Sequence, residues 1–586
     1  MRRGRRALEG LSGYRLLQDL HMSEGFVALE VGLTPSTGEG ETRWYVLLPP
    51  GYPEGEIRIH PSREGGLKRT HPHQQWVDEA KVGLPWRSGH LCLARPGFTL
   101  GRFLEDEEPR DVDSKLRWNL ERALAWLDAL RSGTLRSEGD RFERPALPPL
   151  REEHNERVAF TESAETLEQW LPRVGRWGQV SMRRLPMKPF LFPTQFRGHR
   201  GNVIAEHTWG SAIQALNGGE VEGIWALAKA PPVLLPWHIP GTWSGLREAC
   251  KSVGLDLSRV LSQAARGLRD GGPHPLMLGA PVPETVGGEP KQIHWWGVWL
   301  PPFSARSASG FRSTERALAR RDWKRLFPNG RTVSWLRSES WHPDSIRSRG
   351  RLSALARPTL VLGLGALGSV VAELLTRGGS GELVVVDPDV VEIGNLVRHT
   401  ALYPDVGTAK ATVVGTRLQL VAPDAVIHPV IGRYPDLNQD DLERAHDCEL
   451  ILDCTGDDKV LHALSQRRMP RPVTFVSMSV GYGARRLYLY TARGDSFPFE
   501  AFCEQTQPWL DKEQEVIDRE GGLGWDSIGC WHPHFPARGD QIALMSALAV
   551  KHLESTLDDV NAPALVVYEQ SLDEEGALRV ARVHAP

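Results

Sequence analysis

The chain of 586 residues is long enough for two to four domains, each with its own core. Its composition is that of an ordinary globular protein, 40% hydrophobic and 24% charged. A formal net charge of -3 gives no global pull toward nucleic acid, and no apolar run reaches the roughly 18 residues of a membrane span, so neither is an expected partner.

The basic start, MRRGRRALEG, is not followed by a long apolar core, which argues against a secretory signal and for a cytoplasmic location. The first segment, 1–136, reads as α+β. Residues 25–33 and 42–49 carry strand patterning, and 56–60 reads as a shorter strand after Pro49-Pro50-Gly51-Tyr52-Pro53. Leu116, Leu120, Ala123, Leu124, Leu127 and Leu130 then fall at helical spacing. A polar, proline-bearing stretch, 137–156, reads as a linker. The second segment, 157–343, is mixed α/β: helix-like at 244–250 and 257–268, strand-like at 232–237 and 294–300, with no motif for chemistry. Most of the 20 tryptophans fall in the middle third, where they read as large core residues. Polar residues 344–351 lead into the third segment, 352–586. There strands at 359–363, 382–387, 450–453 and 473–478 alternate with helices at 366–377, 409–421 and 457–464. That alternation predicts a doubly wound, Rossmann-like parallel sheet with helices on both faces.

Within it, Gly363-Leu364-Gly365-Ala366-Leu367-Gly368 follows a strand and opens a helix. Gly363 permits the tight turn, Gly365 lets backbone approach phosphate oxygens, and Gly368 lets helix and strand pack closely. Asp387 and Asp389 end the second strand, where a carboxylate can accept ribose hydroxyls. Alone, these features read as an NAD site. The residues that follow, Asn395, Arg398, His399 and Lys410, argue otherwise. A hydride-transfer site has no need of an Arg and a Lys beside its ribose ligand, whereas a site that neutralises a triphosphate does.

The run GLGALGS…VVVDPDVVEIGNLVRH…VGTAKA…LDCTGDD resembles the ubiquitin-activating and ThiF/MoeB adenylation family across the third segment. The resemblance implies that Asp387 or Asp389 binds ribose and that Asn395, Arg398 and Lys410 hold the phosphates of ATP. It also implies a magnesium-binding carboxylate after the 450–453 strand. The family usually reads D-C-T-D-N there, and this chain has Asp453-Cys454-Thr455-Gly456-Asp457-Asp458. Either Asp457 is shifted into the Mg2+ role or Asp453 shares it, and Asp457 is favoured. His399 stands where glutamine is usual. The implied reaction is acyl adenylation, in which a partner's C-terminal carboxylate attacks the α-phosphate and pyrophosphate leaves. Family members form homodimers through this domain, so a homodimer is expected. Many carry paired C-x-x-C zinc ligands, which this chain lacks, so no structural zinc is expected.

Six cysteines, Cys92, Cys250, Cys448, Cys454, Cys503 and Cys530, are too scattered for a disulfide framework and read as free thiols. Cys530 lies in a Gly/Pro-rich loop before a helix-like stretch at 540–553, where the positive helix end favours thiolate. Its distance from Phe535-Pro536 resembles the thioester-forming cysteine of activating enzymes. Cys503 is the runner-up, and Cys454 is too close to a strand end to be a mobile nucleophile. In the first segment, Tyr45–Pro53 with His71-Pro72-His73 and Leu91-Cys92-Leu93 is similar to ubiquitin-conjugating enzymes, in which a His-Pro-Asn motif precedes the active cysteine. The resemblance implies that Cys92 takes the acyl group from Cys530. His71 and His73 either order the loop or hydrogen-bond to the tetrahedral intermediate. A conjugating-like front and an activating-like back resemble the bacterial fused enzymes of anti-phage operons, above all those of cyclic-oligonucleotide-based signalling (CBASS). There the implied partner is the C-terminus of a cGAS-like nucleotidyltransferase, ligated to target amines. A small ubiquitin-like protein is the alternative partner, and sulfur-carrier activation or an inactive scaffold are the rival functions.

Overall fold

A computed structural model describes the chain except residues 24, 37–39, 79–82, 94–95, 100–101, 106–107, 150–155, 186–188, 215–218, 305–313, 348–349, 353–354, 526–532, 561 and 585–586. It divides into two compact units, Met1–His207 with Gly218–Ser340, and Thr208–Asn217 with Trp341–Pro586. The first two sequence segments therefore share one unit.

In that unit, Tyr14–Ser23, Phe26–Leu33, Thr42–Leu48 and Arg58–Pro61 form an antiparallel meander in chain order. Tyr14–Ser23 is not among the expected strands: its side chains do not alternate cleanly, and two register shifts break its ladder. Helix Ser114–Ser132 lays Leu116, Leu120, Ala123 and Leu127 on a face made by Leu29, Val31, Trp44 and Val46. Each such fully buried aliphatic side chain contributes roughly 1.5–3 kcal/mol. The opposite face of the sheet is covered too, with Ala28, Tyr45 and Leu47 buried under Trp86, so the sheet is packed on both sides.

The middle segment forms an eight-stranded sheet in which Phe190–Gly198 also pairs with Trp177–Arg184, closing seven strands into a barrel with Val203–Glu206 at its edge. Successive residues split between two cores, as the period of two requires. Trp225 and Trp295 join a cluster fed by all seven strands, while Ile224 and Trp296 pack with helices Trp243–Ser252 and Leu257–Ala264. The tryptophan wealth is core, as read from the sequence. Inside it, buried Glu162 accepts hydrogen bonds from the Trp170 and Trp295 indoles at 3.0 and 2.7 Å and from the Thr166 hydroxyl at 2.6 Å. Burial pushes its carboxyl up to about 7 against the pull of those donors. The strand expected at 232–237 is a loop instead, closed by a bridge between Leu234 and His238, because Pro232 and Pro236 carry no ladder donor. Nor is the described part of 137–156 a free linker. The Phe142 N–H bonds the Glu284 carbonyl at 2.9 Å, and the Val286 N–H bonds Asp140 at 2.7 Å.

The second unit holds the predicted doubly wound sheet. Five parallel strands run in the order Val426–Ile431, Glu382–Asp387, Thr359–Leu362, Leu450–Asp453, Val473–Val480, and three antiparallel strands extend it. One face is covered by helices Ala366–Gly378, Lys410–Val421 and Gly539–Thr556, the other by Gln439–Asp447 and Asp458–Gln466. Residues 208–214 belong here too: the Ser211 N–H bonds Ala425, and its hydroxyl accepts from the Ile427 N–H at 3.1 Å. Residues 344–351 are likewise part of the unit, since Arg347 of helix Pro343–Arg347 is buried against Asp424.

Candidate nucleotide and thiol sites

Strands Thr359–Leu362 and Leu450–Asp453 are neighbours at the point where strand order reverses, and a doubly wound sheet opens a crevice there. Gly363 has φ of 82°, and a Cβ on it would lie 2.8 Å from the Thr455 nitrogen. A Cβ on Gly368 would lie 2.0 Å from the Gly363 carbonyl oxygen, so close packing demands that glycine. Gly365 differs, since a Cβ there meets nothing within 4 Å. The protein's own packing does not require glycine at 365; a ligand lying against the backbone would. Gly365 also leaves helix Ala366–Gly378 without a side-chain N-cap, so its first N–H groups face the crevice.

The two acidic candidates are placed differently. Asp387 is buried and accepts from the Leu364 and Asp389 N–H groups at 2.7 and 2.8 Å, so it braces the glycine loop. Asp389 is 62% exposed and pairs with Lys410 at 3.0 Å. Asn395 accepts from the Glu392 N–H at 3.0 Å, and Arg398 bonds the Phe535 carbonyl. His399 takes a single tautomer: Nδ1 accepts from the Ala401 N–H at 2.9 Å, so Nε2 carries the proton and donates to the Leu364 carbonyl at 2.6 Å. Burial pushes its pKa down, which suits a neutral strut under the glycine loop.

Asn395, Arg398, Lys410, Asp453 and Asp457 line one cavity of about 880 Å³, which continues to Tyr488, Phe502, Cys503 and Trp509 beside helix Phe499–Arg519. A smaller cavity of about 180 Å³ is lined by Asp387, Asp389, Arg433 and Tyr434 and shares Gly365, Lys410 and Asp457 with the first. Asp453 is buried with its pKa raised to about 6, first by desolvation. Its carboxylate accepts from Thr455 and Ser477, at 2.6 Å from the Thr455 hydroxyl and 3.1 Å from Ser477, so its oxygens are engaged. Asp457 caps its helix through Lys459 and pairs with Arg433 at 2.7 Å. Among the described residues no three acidic, His or Cys side chains converge as a metal cage. Mg2+ beside a triphosphate needs only one or two carboxylates; both Asp453 and Asp457 line the cavity, Asp457 the more exposed and Asp453 the more engaged by its neighbours. Arg433 went unnoticed in the sequence, although an arginine just beyond the carboxyl end of a parallel strand was a readable signal.

Cys530 lies outside the described residues, and so does most of its loop. Cys454 is not a nucleophile in waiting: burial pushes its thiol far up. Cys92 is exposed. Partial burial of the sulfur, then the charges of Glu143 and Glu56, raise its pKa. The Cys92 N–H bonds the His73 carbonyl at 2.9 Å, and His73 holds φ of 57°, outside the ordinary range for a side-chain-bearing residue. His71 faces the interior edge-on to Trp126; its Nδ1 has no partner, and burial pushes its pKa down to about 4. His73 instead faces Glu143, with Nδ1 at 3.3 Å.

Residues 133–341 match the family model described as the Cap2 central linker domain, and 343–482 match the ThiF family. The ThiF match and a relative along most of the chain define a ubiquitin transferase-like enzyme with a ThiF adenylation domain. The chain is 30% identical over 524 residues to the ATP-dependent ubiquitin transferase-like protein Cap2 of Enterobacter hormaechei, spanning 87% of this chain and 85% of that one. It belongs to the Cap2 family. Shorter likenesses run to the SAMP-activating enzyme E1 of Haloferax volcanii, 38% over 96 residues, and to the molybdopterin-synthase adenylyltransferase of Escherichia coli, 34% over 120 residues. These cover 16% and 20% of this chain, and 36% and 47% of the relatives.

Proposed function

We propose that the enzyme adenylates the C-terminus of a partner protein with ATP, carries the acyl group on Cys530 and then Cys92, and delivers it to target amines. The observation that carries this reading is the cavity shared by Gly365, Arg398, Lys410 and Asp457, which joins a phosphate-sized cradle to an aromatic trough. ATP would lie with its ribose on Asp389 and its phosphates on Asn395, Arg398, Lys410 and the helix N-terminus. A partner tail would enter past Trp509 and Phe502. Its carboxylate oxygen attacks the α-phosphorus as the bond to pyrophosphate breaks, and Lys410 and Arg398 stabilise the charge that develops. Mg2+, held by Asp457, would neutralise phosphate charge when bound. The Cys530 thiolate then attacks the acyl carbon and AMP leaves; exchange onto Cys92 follows, and an amine releases the acyl group as an amide.

The partner we propose is the C-terminus of a cGAS-like nucleotidyltransferase in anti-phage (CBASS) defence, acting in the cytoplasm. A homodimer is proposed through the segment beside the phosphate site, where Ile393, Val397, Leu402 and Tyr403 are exposed large apolar side chains on two tight turns. Exposed apolar residues gathered in this way favour burial against a second copy.

The test is a non-reducing gel after incubation with ATP, magnesium and the nucleotidyltransferase. We expect an ATP-dependent, thiol-sensitive adduct that is lost in Cys530→Ala and held on Cys530 in Cys92→Ala. Pyrophosphate exchange without an adduct in any variant would reduce the activity to adenylation alone and favour a sulfur-carrier substrate.

A further inference from the structure

The Cys92 site borrows from the middle segment. Thr70, just before His71, bonds His238 Nδ1 through its N–H at 3.3 Å and its hydroxyl at 3.0 Å. Trp76, just after the turn, stacks on the His238 ring at 5.4 Å and donates its indole N–H to the Ile239 carbonyl at 2.8 Å. Between them, the Glu143 carboxylate accepts the His73 N–H with both oxygens, at 2.9 and 3.2 Å. The next peptide unit, on the other side of the His73 Cα, holds the thiol segment: the His73 carbonyl accepts the Cys92 N–H, and the Gln74 side-chain amide donates to the Gly89 carbonyl at 3.0 Å. A left-handed φ on a side-chain-bearing residue costs energy, and a charge-assisted hydrogen bond to its own N–H offsets that cost.

We propose that Glu143, outside the conjugating-like domain, is the positioning residue of the Cys92 site: it holds the His73 turn that sets the Cys92 backbone and places a fixed negative charge beside the thiol. This rests on the reading of Cys92 as an acyl carrier. In the step concerned, the target amine attacks the thioester carbonyl carbon. The C–N bond forms as the C–S bond breaks, the electron pair leaves on the Cys92 sulfur, and the amine's surplus proton passes to that thiolate. Glu143 orients the cysteine for this exchange, and its charge adds to the burial that already raises the Cys92 pKa, disfavouring the thiolate that alkylating and oxidising agents attack. Among the described residues, two other titratable groups bear on the thiol. Glu56 acts in the same direction and pairs with His90 at 3.5 Å, while buried His71 stays neutral.

Two readouts on the full chain test the assignment. The first is the pH profile of iodoacetamide alkylation at Cys92, followed by peptide mass spectrometry. Glu143→Gln keeps an acceptor for the His73 N–H but removes the charge, so its profile moves to lower pH; Glu143→Asp stays near the wild type. The second is single-turnover discharge to free lysine, after Cys92 is loaded by exchange with a mercaptoethanesulfonate thioester of a short glycine peptide. Glu143→Ala slows discharge roughly tenfold, the size expected for a lost charge-assisted hydrogen bond, and Glu143→Asp restores part of it. A wild type whose Cys92 takes no acyl group overturns the carrier reading. A wild type that loads, with Glu143→Gln unchanged in alkylation profile and Glu143→Ala unchanged in discharge, overturns the assignment of Glu143 alone.

Discussion

At the nucleotide site, the glycine loop, both aspartates and Asp457 come from the carboxyl ends of adjacent strands in one sheet, and Lys410 opens the next helix. Around Cys92 the groups come from the His-Pro-His turn, the Cys92 segment, Glu143 and a loop at His238, 168 positions beyond Thr70. The first is a site that secondary structure nearly builds by itself, because a βα turn aims N–H groups and a parallel strand end aims a carboxylate at the same crevice. The second exists only when the middle barrel is folded against the meander. Chemistry carried by a sheet edge tolerates distant change, whereas chemistry carried by a braced loop does not.

Four measurements break or sharpen that contrast. The largest effect is expected at Lys410: Lys410→Ala lowers the pyrophosphate exchange rate by ~10²–10³-fold, the usual loss for one preorganised donor. Gly365→Ala should weaken ATP-induced thermal stabilisation while shifting the melting point of the free protein little, since its Cβ meets open space. A large loss of free-protein stability there would mean that packing, not a ligand, demands the glycine.

The intermediate effect is at Trp76, which is buried against the middle segment. Trp76→Ala should destabilise the first unit by ~3 kcal/mol in denaturant melts and raise Cys92 alkylation, with pyrophosphate exchange unaffected. Exchange falling in parallel would erase the contrast between the two sites.

The smallest effect is a pH slope. His71 and His238 are pushed by burial from 6.5 down to about 4 in the folded chain. As pH falls below 6.5 the unfolded chain binds protons that the folded chain refuses, so stability present above that value is lost progressively toward pH 4. Denaturation midpoints across that range should show the fall, and His71→Phe should flatten it. An unchanged slope in that variant would place His71 in water.

The two sites also differ in how far the sequence alone revealed them. Gly363 and Gly368 could be read because a βα unit has a local signature: glycines at fixed spacing, then an acid at the next strand end. Even there the division of labour between Asp387 and Asp389 was hidden. It depends on which carboxylate meets the Leu364 N–H, and that is a tertiary contact. At Cys92 the motif could be read but its support could not. Glu143 sits in a polar stretch that has every mark of a linker, and His238 in a proline-rich run that imitates a strand.

The sequence by itself determined the doubly wound class, the glycine cradle and the tryptophan core, because each follows from local periodicity or from steric needs of a few consecutive residues. Only the tertiary structure decided that the middle segment closes into a barrel, that Asp453 is buried among hydroxyl donors while Asp457 caps a helix, and that a glutamate seventy positions beyond His73 holds the cysteine turn. These depend on which distant groups meet, and hydrogen bonds between residues far apart in the chain leave no periodic trace in the order of amino acids.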